Sequence, residues 1–297
     1  MPAHMKFAVV AQRSTPTNLA LSSCAVPGAE SLLLTPAQAL ARLGPGDVAL
    51  GRLDVLHSLD GVEPGTWAIE TLEENGCRLL NRRRSIFAAH DKRRTANLLA
   101  AAGLPHPATR VARSGTPAAD LDLEPPFVVK PPFGSWGEDV LLCPDRRALT
   151  KCLRELRDRP WFRATGAVVQ ELVPPIGHDL RLVVAARRVV GAVERVAPAG
   201  EWRTNVALGG IRRPVVPPPR ACDLAVAAAT ALGIDLVGVD LLPVGAGEYV
   251  VIELNAAVEF TPEYAEEDVY AAAVAALLQA SPDVEPEDEA ATAGLVL

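Results

Sequence analysis

The sequence predicts an α/β protein, and three observations carry that expectation. Short apolar runs alternate with amphipathic stretches along most of the chain. The helical stretches open on residues such as Thr and close on Gly or Pro. Nearly half of the 297 residues are hydrophobic, enough for one large or several small cores, and no internal repeat is visible.

Taken in order, "MKFAVVAQ" reads as a first strand. "TPAQALARL" reads as a short helix capped by Thr35, with Pro36 at its first position. "DVALGRLD" is a second strand, "TWAIETLEENG" a helix closed by Gly76, and "CRLLN" a third strand. This alternation suggests a small doubly wound domain over roughly 1–85. "SIFAAHDKRRTANLLAAAGLP" reads as one amphipathic helix ending at Gly103 and Pro105. "ATRVAR", "PFVVKPP", "DVLLC" and "AVVQELV" follow as strands, with a helix in "DRRALTKCLRELRDR". "LRLVVAARRVVGAVERVA" reads as a hairpin turning at Ala186–Arg187–Arg188. After it come a helix "CDLAVAAATALG", the strands "LVGVDLLPV" and "EYVVIELNA", and a last helix around "EDVYAAAVAALLQA". "SPDVEPEDEAATAGLVL" has the composition of a disordered tail.

Net charge is −7, and Asp283, Glu285, Glu287, Asp288 and Glu289 all fall in that tail. The body is therefore near neutral and gives no general attraction for nucleic acid. The one basic cluster, Arg82–Arg84 with Lys92–Arg94, reads as a solvated face. Five scattered cysteines without C-x-x-C spacing fit thiols of a reducing, cytoplasmic compartment better than disulfides or zinc. Neither a membrane span nor a signal peptide is expected.

Two late strands carry acids inside apolar runs. Asp240 lies in "LVGVDLLPV", and Glu253 and Asn255, two apart, share one face of the next strand. A buried carboxylate is expensive without a partner, and oxygen donors lacking His or Cys suit Mg²⁺ beside phosphate oxygens. A strand end facing water is the competing reading. Lys130 ends the strand "FVVK" ahead of a loop with Gly134, Ser135 and Gly137, which either cradles polyphosphate or is a plain turn. No Walker A loop, dinucleotide fingerprint or kinase motif is present, so a nucleotide site here has another design. "EWRTNVALGG" (201–210) is either a polar hairpin or a holder of something anionic.

The order of these motifs, "DK", "GLPHP", "GSWG", "QE", "DLR", "WRTN" with "GG", and "E-x-N", resembles that of the ATP-grasp carboxylate–amine ligases. The likeness runs from "LDVLHSLDG" to "NAAVEF" and is nearest the RimK-type and LysX-type branch. The resemblance implies an amino-terminal α/β domain (1–90), a lid (91–170), a carboxy-terminal subdomain (171–280) and the acidic tail (281–297). It implies ATP and Mg²⁺, or Mn²⁺ in its place, as cofactors. Lys92 and Lys130 resemble lysines that touch ATP, and Gln170, Glu171, Leu172 and Val173 resemble the adenine hinge. Gly134, Ser135, Trp136 and Gly137 match the loop over the phosphates, and Asp240, Glu253 and Asn255 match metal ligands. Asp179 and Arg181 match the position whose Arg faces the reacting centre, while Arg203 and Asn205 match contacts to substrate carboxylate and phosphate.

The implied activity joins a carboxylate to an amine, such as an amino acid, through an acyl phosphate, by positioning and charge neutralisation. The partners expected are a small molecule or protein tail and possible further copies of the chain, with no nucleic acid or membrane. Two alternatives stand beside it: a nucleotide-binding regulatory module without chemistry, and a phosphotransferase that stops at a phosphorylated product. After Asn255 the chain reads Ala256, Ala257, Val258, Glu259, Phe260, which departs from the Pro-Gly of the glutamate ligases and approaches the LysX type. Pro174 and Pro175 stand where relatives often carry a charge.

Overall fold

In the computed structural model, which describes residues 5–280, the first apolar run becomes β1 (Met5–Val10), with Phe7 to Val10 fully buried. A strand buried on both faces belongs inside a parallel sheet. Its neighbours are β2 (Ala29–Leu34) and β3 (Val48–Gly51), and β4 (Arg78–Leu80) completes the parallel order β2-β1-β3-β4. The crossovers contain α1 (Pro16–Ser22), α2 (Pro36–Arg42) and α3 (Thr66–Glu74). Thr35 caps α2 as expected, in a capping box with Gln38. The sheet has one strand more than the sequence suggested. β2 opens on Ala29, Glu30 and Ser31, and α1 is seven residues long with Thr17 and Asn18 buried, so neither has clean periodicity.

The single helix expected over "SIFAAHDKRRTANLLAAAGLP" is two: α4 (Arg83–His90) and α5 (Lys92–Ala101). Asp91 leaves the helical region (ψ 100°) to end one and cap the other, its carboxylate accepting from the Arg93 N–H. The Lys92 N–H, freed from α4, donates to the Pro132 carbonyl at 3.0 Å. The break makes Lys92 the first residue of a new helix, at the edge of the cleft described below.

A second, antiparallel sheet holds β5 (Thr109–Ala112), β6 (Phe127–Lys130), β7 (Leu141–Cys143) and β8 (Ala167–Glu171) in the order β5-β8-β6-β7. It packs α6 (Arg146–Glu155) and the unanticipated α7 (Pro160–Thr165) around its own core of Phe127, Val129, Leu149, Trp161 and Phe162. The expected hairpin forms as β9 (His178–Ala185) and β10 (Arg188–Val196). With β11 (Ile211–Pro214), β12 (Leu236–Gly245) and β13 (Glu248–Asn255) it makes a third sheet, β11-β10-β9-β12-β13. α8 (Pro219–Ala231) and α9 (Val269–Gln279) cover it. The tail expected from residue 281 lies outside the described residues. Among the described residues no helix is long and apolar enough to cross a membrane.

Alternation along β9 decides where the site is. Leu180, Leu182 and Val184 point into a core shared with α8 and one face of the first sheet. On the other face Val183 and Ala185 join a second core with α9, while Asp179 and Arg181 stay polar. One face of this sheet is thus half core and half charged floor.

Asn81 joins the first sheet to the third. Its Oδ1 accepts from the Asp235 and Leu236 N–H groups (2.9 and 2.8 Å), and its Nδ2 donates to the Leu236 carbonyl (2.8 Å). Its positive φ of 53° is one that Asn tolerates. We expect Asn81→Ala to cost about 2–4 kcal/mol by stranding these buried peptide groups. The check is a lowered urea midpoint with an unchanged m-value.

Candidate functional site

On the charged floor, cross-strand register sets two rows. Arg212, Arg195 and Asp179 oppose one another across β11, β10 and β9. Arg181, Asp240 and Glu253 do so across β9, β12 and β13. Arg181 donates to both Asp240 oxygens at 2.6 Å, and Arg195 bridges Asp179 (2.5 Å) and Asp240 (2.9 Å). Burial would raise the Asp240 carboxyl, but Arg181 and Arg195 more than offset it and hold it at about 2. A register shift beyond Asp240 leaves Ile252 as an extra residue on β13, and both Ile252 and Glu253 line the cleft.

Above this floor lies a cleft, open to solvent, between the second and third sheets. Lys92 donates to the Gly134 carbonyl (2.6 Å) and pairs with Glu253 (3.1 Å). Lys130, at the end of β6, is almost fully buried; burial first, then the charge of Lys92, lowers its ammonium to about 8. The Lys92 charge disfavours the charged form of Lys130, a cost that a polyanionic ligand offsets. The roof is the glycine loop after β6 and the 201–210 stretch, joined where Arg203 donates to the Gly137 carbonyl at 3.2 Å. Trp136 and Gly137 both sit at positive φ (56° and 78°). A Cβ at Gly210 would collide with the Thr204 carbonyl, which gives that glycine its reason. "EWRTNVALGG" connects β10 to β11, and Trp202 to Asn205 within it form one wall of the cleft.

Most of the expected site residues converge: Lys92, Lys130, Gly134, Ser135, Gly137, Gln170, Glu171, Leu172, Val173, Asp179, Arg203, Asn205, Asp240 and Glu253 all line this cleft. Trp136, Arg181 and Asn255 are not among its walls. Trp136 turns outward, half-exposed, with its ring 6.1 Å from that of His57. Arg181 lies beneath Asp240, and Arg203 spends much of its guanidinium on Glu201 (2.8 Å). The Leu172 N–H is taken by the Pro126 carbonyl at 2.8 Å. Sequence reasoning missed Arg195 and Thr204, the latter donating to Asp179 at 2.6 Å. Arg195 was legible only as one charge within "VERVA"; its partners come from two other strands.

The donor chemistry tolerates a divalent cation but defines it incompletely. Asp240 and Glu253 are the acids at hand, and among the described residues no third His, Cys, Asp or Glu joins them in a metal-sized group. Asp240 already accepts three guanidinium bonds. The Asn255 amide nitrogen is buried without a partner, so this side chain can turn its oxygen inward without losing a bond. Two carboxylates and an amide fit Mg²⁺ where substrate oxygens and water complete the shell.

Three sheets, with a lysine-lined cleft between the second and third, define an ATP-grasp fold. A RimK-domain ATP-grasp protein of Sphaerobacter thermophilus superposes with a TM-score of 0.64 at 22% identity, covering 92% of this chain and 99% of that one. The ATP-grasp ligase PsnB, solved with a minimal precursor, Mg and ADP, gives 0.65 at 17% identity, covering 92% and 97%. The chain belongs to the RimK-like ATP-grasp family: the model of the RimK-like ATP-grasp domain matches residues 89–277. A curated relative, ribosomal protein bS6–L-glutamate ligase of Salmonella paratyphi B, is 36% identical over 198 residues, 65% of this chain. The match spans 64% of that relative's length.

Proposed function

We propose that the protein is an ATP-dependent carboxylate–amine ligase that forms an amide bond through an acyl phosphate. The observation that carries this reading is the pair of buried lysines, Lys92 and Lys130, facing Glu253 and Asp240 under the glycine loop. ATP is a substrate: its adenine would lie against Gln170–Val173, with Val173 rather than Leu172 offering any hinge N–H. Its phosphates would lie on the two ammonium groups and the loop from Gly134 to Gly137. Asp240, Glu253 and Asn255 would hold Mg²⁺, which neutralises phosphate charge when bound.

This chain's own residues then do three things. Lys130 and Lys92 stabilise charge on the transferring phosphoryl group. Arg181 and Arg195 fix the Asp240 carboxylate, so its position does not depend on solvent. The roof formed by Gly137 and Arg203 shields an acyl phosphate from water. Family membership and the activity of the bS6-modifying relative support glutamate as one candidate amine, and a small molecule or a protein tail as the acid. Such an activity belongs in the cytoplasm, where ATP is supplied.

The test is to incubate the purified protein with Mg-ATP, hydroxylamine and a pool of amino acids, dicarboxylic acids and carboxylate-ended peptides, following ADP and hydroxamates by mass spectrometry. A hydroxamate formed together with ADP is the expected result and identifies the activated acid. ATP binding without ADP or hydroxamate, across acids and peptide tails alike, would favour a module without chemistry.

A further inference from the structure

The glycine loop over the cleft is held by little of its own. Between Gly134 and Asp139 its one internal backbone bond among the described residues runs from the Glu138 N–H to the Ser135 carbonyl at 3.2 Å. Trp136, Gly137 and Asp139 all sit at positive φ (56°, 78° and 51°). Glycine adopts such backbone freely, while the two residues with a Cβ hold it at a cost that their surroundings must compensate.

That compensation comes from α7. Asp139 Oδ2 accepts from the Trp161 indole N–H at 2.7 Å, and its Oδ1 lies 3.4 Å from the Arg159 guanidinium. Trp161 is 3% exposed, packed edge-on against Phe162 in the core of the second sheet. A buried indole N–H needs an acceptor, so this bond outweighs the ion pair with the exposed Arg159. The same helix is tied to two other parts of the cleft. Its last residue, Thr165, offers its carbonyl to Arg93 of α5 at 3.2 Å, next to Lys92. After Gly166 the chain enters β8, which ends in Gln170 and Glu171 on the cleft wall. One short helix therefore sets the glycine loop, the head of α5 and the strand of the proposed adenine wall against each other. Neither Asp139 nor Trp161 is itself among the cleft's walls.

We propose that Asp139 and Trp161 are positioning residues for the nucleotide, acting through the glycine loop rather than by contact. The proposal rests on the ligase reading above and deepens it: preference for a triphosphate is set partly from outside the cleft. A loop already held in shape binds phosphate without the ordering cost that a loose one incurs.

Nucleotide binding tests it without requiring turnover. The full chain and its variants, with Mg²⁺, are assayed by competition against a fluorescent nucleotide. The competitors are a non-hydrolysable ATP analogue and AMP, which lacks the β- and γ-phosphates. Asp139→Ala should weaken the analogue about tenfold, the scale of one lost hydrogen bond, and AMP by less than about twofold. Asp139→Asn keeps an oxygen for the Trp161 N–H and tolerates the backbone angle, so it should bind both within about twofold of wild type. Trp161→Phe, which removes the donor and keeps a ring in the core, should repeat the Asp139→Ala pattern. A purely structural bond would instead loosen the whole second sheet and weaken AMP and the analogue alike. That result, unchanged analogue binding in Asp139→Ala, or an Asp139→Asn variant as weak as Asp139→Ala would each overturn the proposal. In those cases the ligase reading stands, because wild type still binds the analogue. Wild type that binds neither nucleotide would remove ATP from the ligase reading and overturn this proposal with it.

Discussion

Glu253→Gln is expected to lower Mg-ATP turnover about 100- to 1,000-fold, the scale on which removing one preorganised charge from a phosphoryl-transfer site acts. Glu253 faces Asp240 across β12 and β13 and holds Lys92 at 3.1 Å. Glutamine keeps the shape and the strand but removes the negative charge that pairs with the Lys92 ammonium and that, in the proposed site, would also hold a cation. The two buried lysines then lie together with less compensation, so their mutual repulsion grows. The fold should survive, because Lys92 keeps the Gly134 carbonyl and Glu253 itself is partly exposed. Steady-state kinetics beside a thermal melt separate the two effects. A variant with full turnover would mean that the metal and the lysines do not depend on Glu253.

Asp240→Ala is expected to act on stability as well as activity. Its carboxylate is the acceptor of both Arg181 bonds and of one from Arg195, all within a buried cluster. Removing one partner of a buried pair strands the others, at a cost of about 3–5 kcal/mol. Arg195 keeps Asp179, so the loss falls mainly on Arg181. Chemical denaturation should show the drop directly. Stability within experimental error of wild type would mean that Arg181 finds another acceptor, and that the floor is less specified than its register implies.

Much of the fold was legible because it rests on local patterns. The capping box at Thr35, the β9–β10 hairpin and the apolar runs of β1 and β12 all announce themselves over a few residues. What escaped was short or polar: α1 with its buried Thr17 and Asn18, β2 with Glu30 and Ser31, and the helix break at Asp91. That break has no local signature beyond an Asp before a Lys, since its reason is the Pro132 carbonyl brought from another segment. It also shapes the cleft, because it sets Lys92 at the head of α5 beside Lys130 and Glu253.

The same division runs through the site. The sequence by itself determined the inventory: which acids lie inside strands, which lysine precedes a glycine loop, and that these stand in an order like that of a known superfamily. Spacing of two along β13 was enough to put Glu253 and Asn255 on one face. Only the tertiary structure decided which charges neutralise each other. Arg195 reaches Asp179 and Asp240 across three strands, Arg181 takes both oxygens of Asp240, and Arg212 is left facing Arg195 with no acid paired to it among the described residues. Side-chain alternation is a property of one strand and can be read along the chain. Cross-strand register and burial are properties of several strands packed together, and they set both the cost of a charge and the partner that relieves it.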